Sequence, residues 1–292
     1  MAYPSGSTTD NNSELFAALV TAAQFAAYET SVARQMVTVF DAPYNAGKSL
    51  QVPVWAGIDA QLLTDEEAAT VKTTNTTSAS ITLDEHVVYH MVTDRLRDSA
   101  YNDVMAQLGD QSGRAIAESM DKQVFGLFTS FSTDLGPGAG AELGVSDLLK
   151  AAATLRSNKL TGPFYAVLHP KQAYAVKDAL TKTIAYNGTG AVTNYGQNPS
   201  NAGNRVLDAF YIGQIAGIQV FESGLITVDG SGDAIGAVFA GSAIGHAMRG
   251  TIEMETQRQA AKRATDVVVK AYAGAAILQN SHGVKLTSDA TI

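Results

Sequence analysis

Apolar residues recur at three- and four-residue spacing from Ser13: Leu15, Phe16, Leu19, Ala22, Ala23, Ala26 and Ala27. That period predicts a helix with one buried face, and Ser13 is a suitable cap for it. Residues 1–12 before it are polar and read as an arm. Near Ser31 the pattern changes to extended runs. Residues 35–40 are β-rich and stop at Asp41-Ala42-Pro43; a second strand, Ser49–Trp55, ends before Gly57. Pro53 within it marks a sheet edge, because proline has no N–H for a ladder. Residues 59–69 form an acidic loop, and a threonine-rich run at 70–80 leads into a strand at 81–92. Strict alternation puts Ile81, Leu83, Val87, Tyr89 and Met91 on one face, with Glu85 out of pattern. Residues 49–92 therefore read as a two-stranded ribbon whose arms, about 12 residues each, reach roughly 40 Å. A lone hairpin is marginal in water. The ribbon is expected to lie on something, and no segment of the chain is an obvious bed.

Residues 98–131 carry the longest helical stripe: Val104, Leu108, Ala115, Ile116, Met120, Val124, Leu127, Phe128 and Phe131. Such a helix is roughly 50 Å long and exceeds the usual globular length. Asp98 or Ser99 can cap it, and Gly109, Gly113 and Gly126 are places where it can bend or break. Gly136-Pro137-Gly138-Ala139-Gly140 marks a boundary. Beyond it lies an α/β unit: a helix capped by Ser146 to about Asn158, a buried strand at Phe164–Leu168, and a helix to about Thr183. Pro170 fits the first turn of that last helix, where its missing N–H costs nothing. Residues 186–205 are a polar loop of a length that is usually functional or mobile. Strands are expected at 210–212, 218–221, 237–240, 243–248, 251–256, 265–278 and 283–286.

Composition sharpens this picture. Only 16% of the 292 residues are charged, against about 25% in ordinary globular proteins. Few charges suit surfaces that become covered, although a neutral, alanine-rich soluble enzyme has the same composition. Without cysteine there is no disulfide framework, thiolate nucleophile or zinc–thiolate site. No apolar run is long enough to span a membrane, and the polar N-terminus lacks a secretion signal, so an intracellular product is expected. A net charge of −8 argues against a protein whose main task is gripping nucleic acid.

Local motifs do not assemble a catalytic site. Gly47-Lys48-Ser49 resembles the end of a phosphate loop, but Ala42 stands where its first glycine belongs and a strand follows where a helix is needed. His86 and His90 share a strand face about 13 Å apart, too far to hold one ion together. Asp65-Glu66-Glu67 is an acidic loop tip with no base or nucleophile beside it. Ser242 lacks the flanking glycines of a nucleophile elbow, and the glycines of 230–236 lie between strands with no helix after them. Asn187-Gly-Thr fits a glycosylation acceptor that an intracellular chain would not use. No catalytic, cofactor-binding or metal-binding residue is assigned, and no cofactor is expected.

Three patterns, in order along the chain, resemble the tailed-phage major capsid proteins of the HK97 fold. Tyr165-Ala-Val-Leu-His-Pro170 before a helix is similar to that family's A-domain strand and helix. Gly213-Gln-Ile-Ala-Gly217-Ile-Gln-Val220 is similar to its turn into a strand. Thr251-Ile-Glu-Met-Glu, Arg263-Ala-Thr-Asp-Val-Val-Val and Gly283-Val-Lys-Leu resemble its C-terminal strands. The resemblance implies an α+β chain divided into an N-terminal arm (1–33), an E-loop with flanking strands (34–92), a P domain with a spine helix (93–140), an A domain (141–240) and returning P-domain strands (241–292). It further implies a non-enzymatic shell protein that assembles into hexamers and pentamers of an icosahedral capsid around double-stranded DNA. Such a protein forms in the bacterial host cytoplasm and resides in the virion. Its partners are other copies of itself, a portal, any decoration protein and, since no scaffold-like prefix precedes the arm, a separate scaffolding protein. Lys48 and Lys72 lie in the ribbon, but no matching Asn or Glu is found, so crosslinks are not expected. An encapsulin-like nanocompartment shell shares the fold and is the alternative. A soluble enzyme centred on 141–240 is a third reading, and it lacks candidate residues.

Overall fold

The computed structural model describes Ala23 and residues 31–44, 47–55, 57–58, 60–63, 65, 68–73, 76–99, 104–182, 214–215 and 217–291. A short 3-10 turn, Ala33–Gln35, leads into β1 (Thr38–Asp41), β2 (Ser49–Trp55), β3 (Thr76–Thr82) and β4 (Asp84–Thr93). Two helices follow, α1 (Asp94–Ser99) and α2 (Val104–Gly126). Next come α3 (Val145–Ser157), β5 (Phe164–Leu168) and α4 (Pro170–Lys182). The chain closes with β6 (Gln214–Ile215), β7 (Ile218–Glu222), β8 (Asp233–Ala240), β9 (Ile244–Gln259), β10 (Ala264–Ile277) and β11 (Gly283–Asp289).

These strands make three sheets: β1-β9-β10-β4, β11-β8-β5-β7-β6, and the two-stranded ribbon β2-β3. In the first, β9 and β10 form a long antiparallel hairpin, and β4 continues the sheet along β10. The helix α2 covers one face of it. Ile116 and Met120 of α2 pack on Val92, Val267, Val269, Ala271 and Ala273, and Ala23 joins the same buried cluster. A Cβ on Gly113 would come within 2.1 Å of the Ala23 carbonyl oxygen, so this glycine lets the segment holding Ala23 reach the helix backbone. The five-stranded sheet is covered by α3 and α4 through Leu148, Leu155, Ala173 and Val176. An aromatic chain joins the two sheets. Phe128 lies 5.5 Å from Phe125, 6.5 Å from Phe131 and 5.5 Å from Phe239, ring centre to ring centre. Burying one such ring stabilises the fold by about 1.5–3 kcal/mol, and each close ring pair adds about 0.5–1.5 kcal/mol.

Several sequence expectations need correction. The runs at 243–248 and 251–256 form the single strand β9. Gly250, with φ +63°, takes up the irregularity between them, since only glycine adopts that conformation without strain. The long helical stripe is divided: α1 starts at Asp94, α2 ends at Gly126, and a 3-10 turn carries Leu127–Ser130. Ser146 does not cap α3. Gly144 occupies the cap position, and its N–H donates to the Asp147 carboxylate at 3.1 Å. The expected strand at 210–212, the polar loop at 186–205 and Asn187 lie outside the described residues, as does the arm helix apart from Ala23.

The ribbon departs most from expectation. Its second arm does not run to 92. It ends at Thr82, and after Leu83 the chain switches sheets to become β4. Pairing runs from Ser49↔Thr82 to Trp55↔Thr76, which gives a regular ribbon of roughly 23 Å. The ribbon also has a bed at its root within its own chain. Ile81 and Leu83 are buried with Ala42 and Ala247, and Phe40, Leu50, Val52 and Leu278 pack against them. The crossing is tight: a Cβ on Gly274 of β10 would sit 2.0 Å from the Thr82 carbonyl oxygen. As Pro53 predicts, β2 has a partner on one side only among the described residues.

Candidate assembly surfaces

The sheet switch at Leu83 reverses the side-chain alternation of the strand. Before it, Ile81 and Leu83 face the core. After it, the even-numbered residues of β4 face α2: His86 Nδ1 shares a 2.8 Å hydrogen bond with Ser119, and His90 Nε2 a 3.0 Å bond with Ser112. Val87, Tyr89 and Met91 consequently point away from α2 and are about half exposed, at 51%, 57% and 46%. Glu85, out of pattern in the sequence, is on this outer face, where it accepts a hydrogen bond from the Tyr272 hydroxyl. Tyr89 donates to Asp266 Oδ1 at 2.8 Å. Across the same face toward β9 the surface turns polar, with Lys270 bridging Glu253 and Glu255. The outer face of the first sheet thus carries an apolar stripe on β4, an edge strand, and ion pairs farther in.

At its far end the ribbon presents Trp55, Ile58, Leu62, Leu63 and Val71, all exposed, with Leu62 99% and Val71 96% accessible. The two sides of this tip are tied together: Gln61 bonds Thr70 through both its amide nitrogen and its oxygen. Isolated exposed apolar residues are ordinary, but a cluster of this kind marks an interaction site. Asp121 of α2 anchors the chain just before the 3-10 turn Ala33–Gln35. Its carboxylate accepts the Ser31 hydroxyl at 2.8 Å and the Val32 N–H at 3.0 Å. Burial pushes this carboxyl above the usual range, while the bonds from Ser31, Val32 and Ala33 oppose the shift. His246 of β9 is 3% exposed. Burial lowers its pKa to about 4, and the charges of Arg34 and His86 push the same way. It is held neutral between the sheet and the segment leading out of the arm.

The remaining chemical candidates stay apart. His86 and His90 each bond a serine of α2, and among the described residues no group of three or more His, Asp or Glu is placed to hold a metal. Gly47 has φ +71° and leads into β2, so no helix N-terminus follows to receive phosphate. Asp65 is exposed, while Glu66 and Glu67 lie outside the described residues. Gly230 and Gly232 sit in the turn before β8, and Gly236 is within it. The structure does pair Ser242 with His282 at 2.8 Å, a contact between residues 40 apart in sequence that no local motif signals. Among the described residues no carboxylate bonds the other ring nitrogen, so the third member of a nucleophilic triad is missing. What the described residues offer is exposed apolar surface on β4 and at the ribbon tip. Among the described residues no helix is long and apolar enough to cross a membrane.

Comparison with known proteins agrees with this reading. No curated protein sequence matches the chain. By structure it is similar to the capsid of the cyanophage P-SCSP1u, with a TM-score of 0.65, 18% identity, and 86% of each chain covered. It is similar to a protein of Mycobacterium phage Che8, with a TM-score of 0.61, 16% identity, and 82% and 84% covered. The SrpI encapsulin of Synechococcus elongatus also shares the fold, with a TM-score of 0.61, 13% identity, and 88% and 87% covered. The α+β architecture is therefore that of the HK97-like shell proteins. Residues 76–286, most of the chain, match the family model for phage capsid proteins. The chain belongs to the phage capsid protein family and is a structural major capsid protein.

Proposed function

We propose that this chain forms the icosahedral shell of a tailed phage by self-association into hexamers and pentamers around double-stranded DNA, with no enzymatic step of its own. The observation that carries this is the ribbon: its root is packed on the first sheet, while Trp55, Leu62 and Val71 at its tip are left to solvent. A monomer gains nothing from holding such a tip outward, whereas a neighbouring subunit would bury it. In this reading residues 34–92 act as the E-loop and its flanking strands, and 93–140 with 241–292 as the P domain. Residues 1–33 form the arm, and 141–240 the A domain directed at the capsomer axis. A scaffolding protein, a portal and any decoration protein are its further partners, with assembly in the host cytoplasm and residence in the virion. The net charge of −8 suits a wall past which DNA must slide.

Expression followed by negative-stain electron microscopy and light scattering tests the proposal. Closed shells, tubes or sheets with a hexameric lattice are expected. A clean monomer that persists after co-expression with the candidate scaffold would overturn the reading. Shells that enclose a protein cargo instead of DNA would move the chain to the nanocompartments.

A further inference from the structure

We propose that residues 33–37 are an acid-released clasp: when the His246 ring takes up a proton, the turn Ala33–Gln35 and the two residues after it lift off the first sheet. The device lies within one subunit and does not depend on how shells are built.

The segment is seated by apolar contact and bounded by polar ties. Ala33, Met36 and Val37 are buried in one cluster with Phe125 of α2, Phe128 and Ile244 of β9. Asp121 holds residues 31–32 on one side. On the other, Thr38 donates to the Gly241 carbonyl through both its N–H and its hydroxyl. Between these ties Arg34 turns its guanidinium onto β9, where Nη1 lies 3.9 Å from Met248 Sδ. His246 is two residues back along that strand and shares the face. It is 3% exposed, and among the described residues its Nδ1 has no hydrogen-bond partner. A proton added there sets a second cation beside Arg34 in a site closed to solvent, which is costly without a partner. The charged groups that face the ring are Arg34 from the turn and His86 from β4. Its register partners on β1 and β10, Val39 and Ala275, carry no charge.

Burial, with these two charges, holds the ring's pKa at about 4 instead of 6.5. The closed form is therefore complete above about pH 6.5 and loses ground as pH falls toward about 4, by up to roughly 300-fold in the closed-to-open ratio. Lifting residues 33–37 uncovers the ring and carries Arg34 away from it. Asp121, the other titrating group on the segment, does not drive opening. Burial raises its carboxyl, so a proton relieves that burial, and the neutral group still accepts from Val32 and can donate to Ser31. His86 can stay in place when charged, because Ser119, Gln123 and Asp84 surround it, and its charge adds to the push on His246. Opening therefore starts at Arg34, with residues 31–32 tied down.

The chain has no cysteine, so a nitroxide on Gln35→Cys, an exposed position of the turn, reports the segment alone. A separate protein labelled at Tyr174→Cys, exposed on α4, reports global unfolding. Electron paramagnetic resonance spectra of unassembled subunits are recorded from about pH 7 to about pH 4. The Gln35 label should gain a mobile component that grows as pH falls, reverses on neutralisation and precedes any change at position 174. His246→Gln should remove that component. Arg34→Gln, which keeps the histidine and takes away the neighbouring charge, should leave it several times smaller at about pH 5. If His246→Gln fails to fold, the Arg34→Gln comparison decides. A label that stays immobile down to about pH 4, mobilises together with position 174, or responds in the variants as it does in the unaltered background overturns the clasp.

Discussion

Replacing Gly274 with alanine tests how the ribbon is seated. A Cβ there would lie 2.0 Å from the Thr82 carbonyl oxygen, 2.8 Å from its carbon and 3.2 Å from the Leu83 Cα. Even a close carbon–oxygen contact needs about 3.3 Å, so the strands must separate by about 1 Å. All three neighbours are backbone atoms, and no rotamer change relieves the clash. Overpacking costs about 1–3 kcal/mol, and a backbone clash belongs at the upper end. For a chain of this size each kcal/mol lowers Tm by about 2–4 °C, which gives a fall of about 6–12 °C. Calorimetry on unassembled subunits measures it, and microscopy should show fewer shells because the displaced root re-aims the tip. Gly126→Ala is the control: its surroundings are empty within 4 Å and its backbone is helical, φ −60° and ψ −25°. There alanine should be neutral or stabilise by up to about 1 kcal/mol. Equal melting temperatures for the two variants would refute the close crossing of β3 over β10.

Further outcomes follow from the buried polar groups and the tip. The neutral His246 ring, with its pKa lowered to about 4, contributes stability that is complete above the ordinary histidine value of about 6.5. That contribution is lost as pH falls from there toward 4, about 3 kcal/mol in all; His246→Gln should show a shallower acid decline in denaturant titrations, and parallel profiles would refute the assignment. Asp121→Ala removes the acceptor for Ser31 and Val32, at a cost of about 1–3 kcal/mol, and trypsin should cut sooner at Arg34. Leu62→Asp together with Val71→Asp, both on exposed positions, should leave the melting temperature of the subunit within about 1 °C while abolishing shells in electron micrographs.

Local periodicity made some elements legible and hid others. Strand β5 and the helix opened by Pro170 were readable because an apolar run and a fixed proline φ act within a few residues. The aromatic stripe of 124–131 was likewise visible as core. The reversal at Leu83 was not, because alternation assumes one sheet throughout. Ile81 and Leu83 pack in one layer, whereas Val87, Tyr89 and Met91 belong to the opposite side of another. Glu85 was the one sign of it: a charge on a supposedly buried face, explained once β4 turns over and Tyr272 reaches it. Gly250 concealed a continuous strand because a glycine between two β-rich runs looks the same whether it makes a turn or a bulge. Gly274 and Gly113 carry no local signal either, since their role is to admit backbone from segments far away in sequence.

The low charge density and the inverted strand have a common physical basis. A monomeric protein keeps charge on its outer positions to remain soluble; this chain leaves Val87, Tyr89 and Met91 on an edge strand and Trp55, Leu62 and Val71 on a projecting ribbon. Exposed apolar edges invite pairing with other chains. In a closed shell that hazard becomes the assembly force, provided each edge accepts only one partner in one orientation. Charge placed beside the apolar stripe can supply that restriction: Lys270 bridges Glu253 and Glu255 on the same face, and Arg258 grips Asp94 near its Met91 end. Apolar area drives the association and sparse, placed charge selects its geometry, so a chain built to be covered by its own copies needs few charges, each at a position that matters.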